Sequence, residues 1–390
     1  MKKLLLLLCC ISFSIVNGQT SPASPEVRYS IFLAGNKAGY ETSNRDADGS
    51  LKFYYEYYDR GRGPKITERV MLDGNGIPAS IENTGIDYEK ASVNEKFSFA
   101  GGNATWTNRA EKGSRQISGK AFYISISGAF GEGALLARAL LSAGGRLPLL
   151  PAGEAAIEKR GELKIEANGK SQTVTQYAIS GLDFTPSPIW LDQDGNFFAI
   201  ASSWLAVVRE GWEGSMSELI AAQDKISNQR SASLAKSLAH KPAGTLVFAH
   251  ANVFDTESAT LLPNRNVVIN GDKITSVAEG STMRFPEGAE VIDASGKTLM
   301  PGLWDMHVHL APNDGLLHMA AGVTSVRDMA NDIDMLGAMQ KRFDEGSEIG
   351  PRVLKAGFVD GRGPFQGPTK VFADSEQEAK DDIDRYAKLG

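Results

Sequence analysis

With 390 residues, 42% of them hydrophobic, the chain is longer than the roughly 250 residues at which single cores stop growing, so at least two domains are expected. A net charge of −6, with no arginine-rich run interleaved with aromatics, excludes a broad phosphate-binding surface, and nucleic acid is not expected as a partner.

Lys2 and Lys3 precede the apolar run from Leu4 to Val16, and Val16-Asn17-Gly18 offers small residues for cleavage. Residues 1–18 therefore read as a signal peptide, and the protein as exported, periplasmic or secreted. The run is shorter than the roughly 20 residues needed to span a bilayer, and no stable membrane span is expected. The only cysteines, Cys9 and Cys10, lie inside this segment. The mature chain then has no thiolate, and any metal must be held by His, Asp, Glu or a modified Lys.

Residues 26–212 read as a β-rich domain. Val27-Arg28-Tyr29-Ser30-Ile31-Phe32 alternates, the 53–58 stretch is aromatic, and Asp73-Gly74-Asn75-Gly76 and Asp194-Gly195-Asn196 accept positive φ at turns. One apolar helix is expected near 133–141, either packed on a curved antiparallel sheet or presented to lipid. No chemical motif stands out here. Residues 213–244 form a helical linker that ends at Lys241-Pro242-Ala243-Gly244, with His240 near its last turn as a helix-end or solvated group.

From residue 245 short strands return, and 245–299 read as a small β-sandwich module. Asn266-Val267-Val268-Ile269 turns through Asn270-Gly271-Asp272 into Lys273-Ile274-Thr275, a hairpin with an expected type I′ turn. Beyond it lies Pro301-Gly302-Leu303-Trp304-Asp305-Met306-His307-Val308-His309. Helix and strand then alternate: a helix near 315–321, a strand 323–328, a helix near 332–345, a strand 352–358, and a helix opening at the capping box Ser375-Glu376-Gln377-Glu378. Residues 300–390 thus read as three βα units, against eight in a closed barrel.

On a strand, side chains two apart share a side, roughly 6.5 to 7 Å apart along the chain. His307 and His309 are then placed to share one divalent cation, with Asp305 below them accepting a ring N–H. An H-x-H pair also occurs as hydrogen-bonded core histidines, and the surrounding βα pattern favours the ligand reading. Arg327 and Asp328, at the end of the next strand, are pocket candidates or an ion pair. Asp360, in the glycine- and proline-rich loop 360–368, is a candidate for a substrate-facing wall or a structural crossover.

Three stretches carry a resemblance to a known family: Asn270-Gly271-Asp272-Lys273-Ile274, the run from Pro301 to His309, and Gly322-Val323-Thr324-Ser325-Val326-Arg327-Asp328-Met329. Over about residues 245–390 the sequence resembles the amidohydrolase superfamily, in its imidazolonepropionase-like and Xaa-Pro dipeptidase-like branch. The resemblance implies a metal-dependent hydrolase on a TIM-type barrel, with one or two divalent ions, zinc expected. His307 and His309 match the first-strand pair. It also implies a carboxylated lysine, two further histidines and an aspartate on later strands, the metals activating a water and polarising the scissile carbonyl while the aspartate handles the proton. This sequence departs from that pattern. His240 and His250 precede the motif, His318 falls on the first barrel helix, Lys370 is in a loop and Lys388 near a helix end. The catalytic residues are therefore expected beyond Gly390, the last residue of the sequence.

The expected fold is multi-domain, β plus α/β: an antiparallel β domain, a small β-sandwich module, and the first three βα units of an incomplete TIM-type barrel. The expected activity is hydrolysis of a C–N bond in a small-molecule amide, cyclic amide or dipeptide, with this truncated form inactive. The alternative is a non-catalytic exported binding protein with a vestigial barrel fragment.

Overall fold

The computed structural model describes residues 24–281, 284–367 and 369–389. The expected signal peptide and both cysteines lie outside the described residues, and so does Gly390. The chain divides into two compact units, one up to Leu219 and one from Ile220.

The first unit begins with an eight-strand meander: β1 (Val27–Leu33), β2 (Asn36–Arg45), β3 (Leu51–Tyr57), β4 (Lys65–Leu72), β5 (Pro78–Ile86), β6 (Ser92–Ala100), β7 (Asn103–Thr107) and β8 (Lys112–Gln116). A short β9 (Phe122–Tyr123) and helix α1 (Glu132–Ser142) follow. The chain then returns through β10 (Arg146–Leu150), β11 (Glu154–Ala167), β12 (Lys170–Ser180), β13 (Ser187–Leu191), β14 (Phe197–Ile200) and β15 (Leu205–Arg209). All fifteen strands form one sheet, in which the two meanders meet where β15 pairs with β1, Tyr29 opposite Arg209. Neighbours are antiparallel except β9 and β10.

Period-two alternation sends Ile66 and Val70 of β4, Ile81 of β5, and Val93 and Phe97 of β6 to the buried face. Helix α1 lies in that core: Ala134, Leu135, Leu136, Ala137, Ala139 and Leu140 are buried with Phe53, Ile66, Ile81 and Ile189. Of the two roles open for this helix, packing on the sheet is the one realised. Each such leucine contributes roughly 1.5–3 kcal/mol of burial.

The buried face also carries four carboxylates. Glu41 of β2, Glu68 of β4 and Glu95 of β6 are at most 2% exposed, and Glu132 opens α1. Cross-strand register sets Glu68 beside Asn83 and Asn83 beside Glu95. They hold the segment that leads into α1. Glu95 accepts the amides of Ile126 (2.9 Å) and Ser127 (3.0 Å) and the Tyr123 hydroxyl (2.8 Å). Glu68 accepts the amide of Ala129 (2.8 Å), and Glu41 those of Phe130 (2.7 Å) and Gly131 (2.9 Å). Five backbone donors that the strand ladder cannot serve are thereby satisfied.

The two units divide within α2 (Met216–Leu238), most of which belongs to the second. A five-stranded sheet comprises β16 (Leu246–Asp255), β17 (Thr260–Asn270), β18 (Lys273–Glu279), β19 (Glu290–Asp293) and β20 (Thr298–Leu299). The expected sandwich is instead one bent sheet. β16 breaks at His250, whose φ is 61°, so its first half pairs with β19 and its second with β20. In the β17–β18 hairpin Gly271 has φ 62° and Asp272 is not in the positive region. Positive φ at the first central residue alone is the pattern of a type II′ turn, not the expected I′, because the glycine stands first.

Next come β21 (Leu303–Val308), α3 (Asp314–Ala320), β22 (Val323–Asp328), α4 (Ile333–Asp344), β23 (Arg352–Lys355) and α5 (Glu376–Leu389). β21, β22 and β23 form a parallel sheet in that order. Val308, Leu310, Val326, Leu336, Met339 and Val353 are its core. Gly302 admits β21 beside β22, since a Cβ there would lie 1.9 Å from Thr324 Oγ1. Among the described residues β21 and β23 each pair on one side only, and Leu303, Trp304, Met306 and Leu354 are exposed. No helix among the described residues is long and apolar enough to cross a membrane.

Candidate metal centre

His307 lies near the end of β21 and His309 just beyond it, both exposed. Their ring centres are 5.3 Å apart and the planes cross at 77°. Two imidazoles bound at ordinary Zn–N distances around one tetrahedral ion have ring centres about 5 Å apart, so the separation suits a shared divalent cation.

Strict alternation does not hold along β21. Asp305 aligns with Val326 and Val308 with Asp328, so three steps on β21 match two on β22. The extra residue is absorbed at Met306 and His307, a bulge that re-aims the histidine. It also leaves Asp305 on the Val326 side, not below the histidines. Asp305 Oδ1 accepts the backbone N–H of His307 at 3.1 Å, in place of the ring contact expected from spacing.

The loop after β22 orients His309. Nδ1 lies 2.8 Å from the carbonyl oxygen of Ala330. A carbonyl only accepts, so Nδ1 carries the proton and Nε2 presents its lone pair outward. The His307 ring has no hydrogen-bond partner among the described residues and is free at both nitrogens.

Arg327 and Asp328 are adjacent on β22 and point to opposite faces. Arg327 is exposed and donates to the carbonyl of Met306 at 3.1 Å; it makes no ion pair with Asp328. Asp328 is fully buried and accepts the amides of Leu310 (2.8 Å) and Ala330 (3.2 Å) and the side-chain amide of Asn331 (2.9 Å). Asp360 closes its own loop, accepting from Gly361 (2.8 Å) and Gly367 (2.6 Å). Lys370 is engaged by Asp332 at 2.6 Å. His318 Nδ1 lies 3.0 Å from the carbonyl of Asp314, and His240 Nε2 lies 2.9 Å from Glu290.

Sequence reasoning missed Asn331, which spans from Asp328 to the Leu310 carbonyl (2.9 Å), and the four buried glutamates of the first unit. A signal for two of those glutamates was present: Ile66-x-Glu68-x-Val70 and Val93-x-Glu95-x-Phe97 put acids at inward positions. Among the described residues no group of three or more His, Cys, Asp or Glu side chains is arranged to hold a metal, so His307 and His309 stand as a two-ligand set. The catalytic residues expected beyond Gly390 fall outside the described residues.

No family model matches the chain. A stretch of 65 residues, 17% of this chain and 11% of the relative, is 38% identical to an adenine deaminase of Chelativorans sp. (strain BNC1). A structure assigned as a prolidase from Bifidobacterium longum is 23% identical, over 38% of this chain and 40% of its own, with a TM-score of 0.36. A Xaa-Pro dipeptidase with bound methionine in its active site is 20% identical, over 37% and 45%, with a TM-score of 0.32. Bottromycin amidohydrolase is 18% identical, over 42% and 34%, with a TM-score of 0.32. The structures the chain is similar to are thus prolidase-like, dipeptidase and amidohydrolase proteins, and the chain spans less than half of each.

Proposed function

We propose that residues 300–389 belong to a metal-dependent hydrolase of the amidohydrolase type, acting on a C–N bond of an amide, cyclic amide or dipeptide, in an exported protein. One observation carries the reading: two imidazoles 5.3 Å apart at the C-terminal end of the first strand of a parallel βα series, one of them with its tautomer fixed so that Nε2 faces outward. That end of parallel strands is where barrel enzymes assemble their chemistry. Support also comes from the run Pro301 to His309 and from the relative named as an adenine deaminase, since deamination cleaves a C–N bond.

His307 and His309 would hold a divalent ion, zinc by the nature of the donors. Bound there, the ion supplies Lewis-acid polarisation of a substrate carbonyl and a lowered pKa for water. The chain's own part is to fix the ring orientations: Ala330 sets the His309 tautomer and Asp305 holds the bulge that aims His307. Two imidazoles leave half of a tetrahedral shell to other donors, and catalytic zinc usually has three protein ligands, so activity needs at least one further ligand.

The test is zinc titration against a competing chelator, with hydrolysis of a dipeptide panel, for the 390-residue chain, His307→Ala and His309→Ala. Weak zinc binding is expected, lost in either variant, with no turnover above the His307→Ala background. Zinc binding that survives both substitutions would remove the reading. For export, intact mass of the secreted or periplasmic material should show cleavage near Gly18, and a cytoplasmic protein retaining Met1 would contradict it.

A further inference from the structure

Asp328 is a fully buried carboxylate that the proposed chemistry does not use. Three donors converge on it from two different loops. Oδ2 accepts the backbone amide of Leu310 at 2.8 Å and Asn331 Nδ2 at 2.9 Å, and Oδ1 accepts the backbone amide of Ala330 at 3.2 Å. Asn331 Nδ2 donates as well to the carbonyl of Leu310 at 2.9 Å. The backbone of Asp328 ties in the third strand, its carbonyl accepting the amide of Ala356 at 2.9 Å.

The two residues that Asp328 grips are the two that frame the His309 hydrogen bond. Leu310 follows His309 in the chain and is 2% exposed. Ala330 supplies the carbonyl that lies 2.8 Å from His309 Nδ1. One carboxylate therefore bonds the backbone just after the donor and the residue that carries the acceptor carbonyl. We propose that Asp328 is a positioning residue: by clamping Leu310 to Ala330 it holds His309 in the Nδ1–H tautomer with Nε2 free for a ligand.

The proposal deepens the metal reading and rests on it for its purpose, while the clamp itself is a property of the chain alone. A ligand histidine whose outer partner is lost usually binds its metal about 10–100-fold more weakly. Here the partner is a peptide carbonyl, and the residue that carries it is held by a buried side chain two residues earlier.

The experiment uses the full 15N-labelled chain at alkaline pH, where imidazoles are neutral, and reads the tautomer of each of its five histidines from two-bond 15N–1H correlations, assigned by His→Gln variants. His318, bonded through Nδ1 to the Asp314 carbonyl, reports that the fold is intact, and His307, with no ring partner, reports the free equilibrium. Wild type should show His309 as Nδ1–H. Asp328→Ala should shift it to the Nε2–H form that His307 shows, leaving His318 unchanged. Asp328→Asn keeps one acceptor oxygen and should give a mixture; it also decides the matter if Asp328→Ala disturbs His318. A His309 that remains Nδ1–H in Asp328→Asn, or in Asp328→Ala with His318 unchanged, would overturn the proposal, as would a wild-type His309 that is not Nδ1–H.

Zinc is then added to the same samples. A zinc affinity about 10–100-fold lower in Asp328→Ala than in wild type links the clamp to the metal. If wild type gives the expected tautomers but no response to zinc at His307 or His309, the metal reading fails and the clamp stands.

Discussion

The carboxylates of the first unit and the imidazoles of the second receive opposite treatment. Glu41, Glu68, Glu95 and Glu132 are buried, Glu41 and Glu95 with a backbone donor on each carboxylate oxygen, and among the described residues no lysine or arginine pairs with them. His307 and His309 are exposed, and each keeps at least one nitrogen unused. A buried polar group whose bonds are all made internally has nothing left for a ligand, so Glu41 and Glu95 serve architecture. A polar group oriented by one bond and open at the other is prepared for a partner from outside. That difference separates a structural polar cluster from a candidate site without reference to residue type.

The largest expected effect tests the architectural half. Glu95→Ala would leave the amides of Ile126 and Ser127 and the Tyr123 hydroxyl without their acceptor. A buried unsatisfied group costs about 1–3 kcal/mol, so a loss of at least about 3 kcal/mol is expected in urea unfolding of the first unit. Glu82→Ala is the control. Glu82 is 57% exposed and pairs with Lys96 at 3.6 Å, and its loss should cost less than about 0.5 kcal/mol. Equal effects would erase the distinction between the two kinds of carboxylate.

A second expected effect concerns pH. Burial pushes Glu41 up to about 8 against the opposing pull of the Gly131 and Phe130 amides, and burial pushes Glu132 up to about 7. Glu68 is raised by burial and then by the Glu132 charge. Its Oε1 has no donor among the described residues. In the unfolded chain these groups titrate near 4.5. The stabilisation is thus complete below about 4.5 and is lost as pH rises through 7 to 8. The first unit should melt at least about 4 °C lower at pH 9 than at pH 5, and Glu68→Gln should flatten that slope. A first unit that gains stability with alkali would show that the glutamates are charged and compensated in the fold.

How far the sequence foretold these arrangements depends on the range of the interaction. The β22 strand, the α3 and α4 helices and the capping box at Ser375 follow from local periodicity and capping, and Glu378 Oε2 indeed takes the Asp374 amide (2.8 Å) and the Ser375 hydroxyl (3.1 Å). The closure of β15 onto β1 joins residues almost two hundred positions apart, which no local pattern encodes. At the candidate site the histidines were legible as a spaced pair. The bulge that moves Asp305 to the other face was not, because it depends on how β21 registers with β22. Asp328 was visible only as a polar strand end; its clamp needs Leu310 and Ala330 brought together from separate loops.

The smallest expected effects separate two tasks performed by one carboxylate in the second unit. Asp332 caps α4, accepting the amides of Asp334 and Met335, each at 3.1 Å, and it also receives Lys370 Nζ at 2.6 Å. Burial alone would raise its pKa, yet Lys370 and the two amides hold it below the usual range, so this contribution is present above about 3.8 and fades in acid. That is the reverse of the glutamate row. Asp332→Ala removes cap and ion pair together and should cost about 1 kcal/mol, the ordinary worth of an N-cap. Asp332→Asn keeps a capping oxygen and should cost only a few tenths. Lys370 is 62% exposed, and exposed ion pairs contribute about 0–1 kcal/mol, so Lys370→Ala should fall within about 0.5 kcal/mol of wild type. If urea unfolding of the second unit instead shows Lys370→Ala costing as much as Asp332→Ala, the lysine rather than the cap secures this loop. Polar groups of the second unit would then serve structure as fully as the buried glutamates of the first.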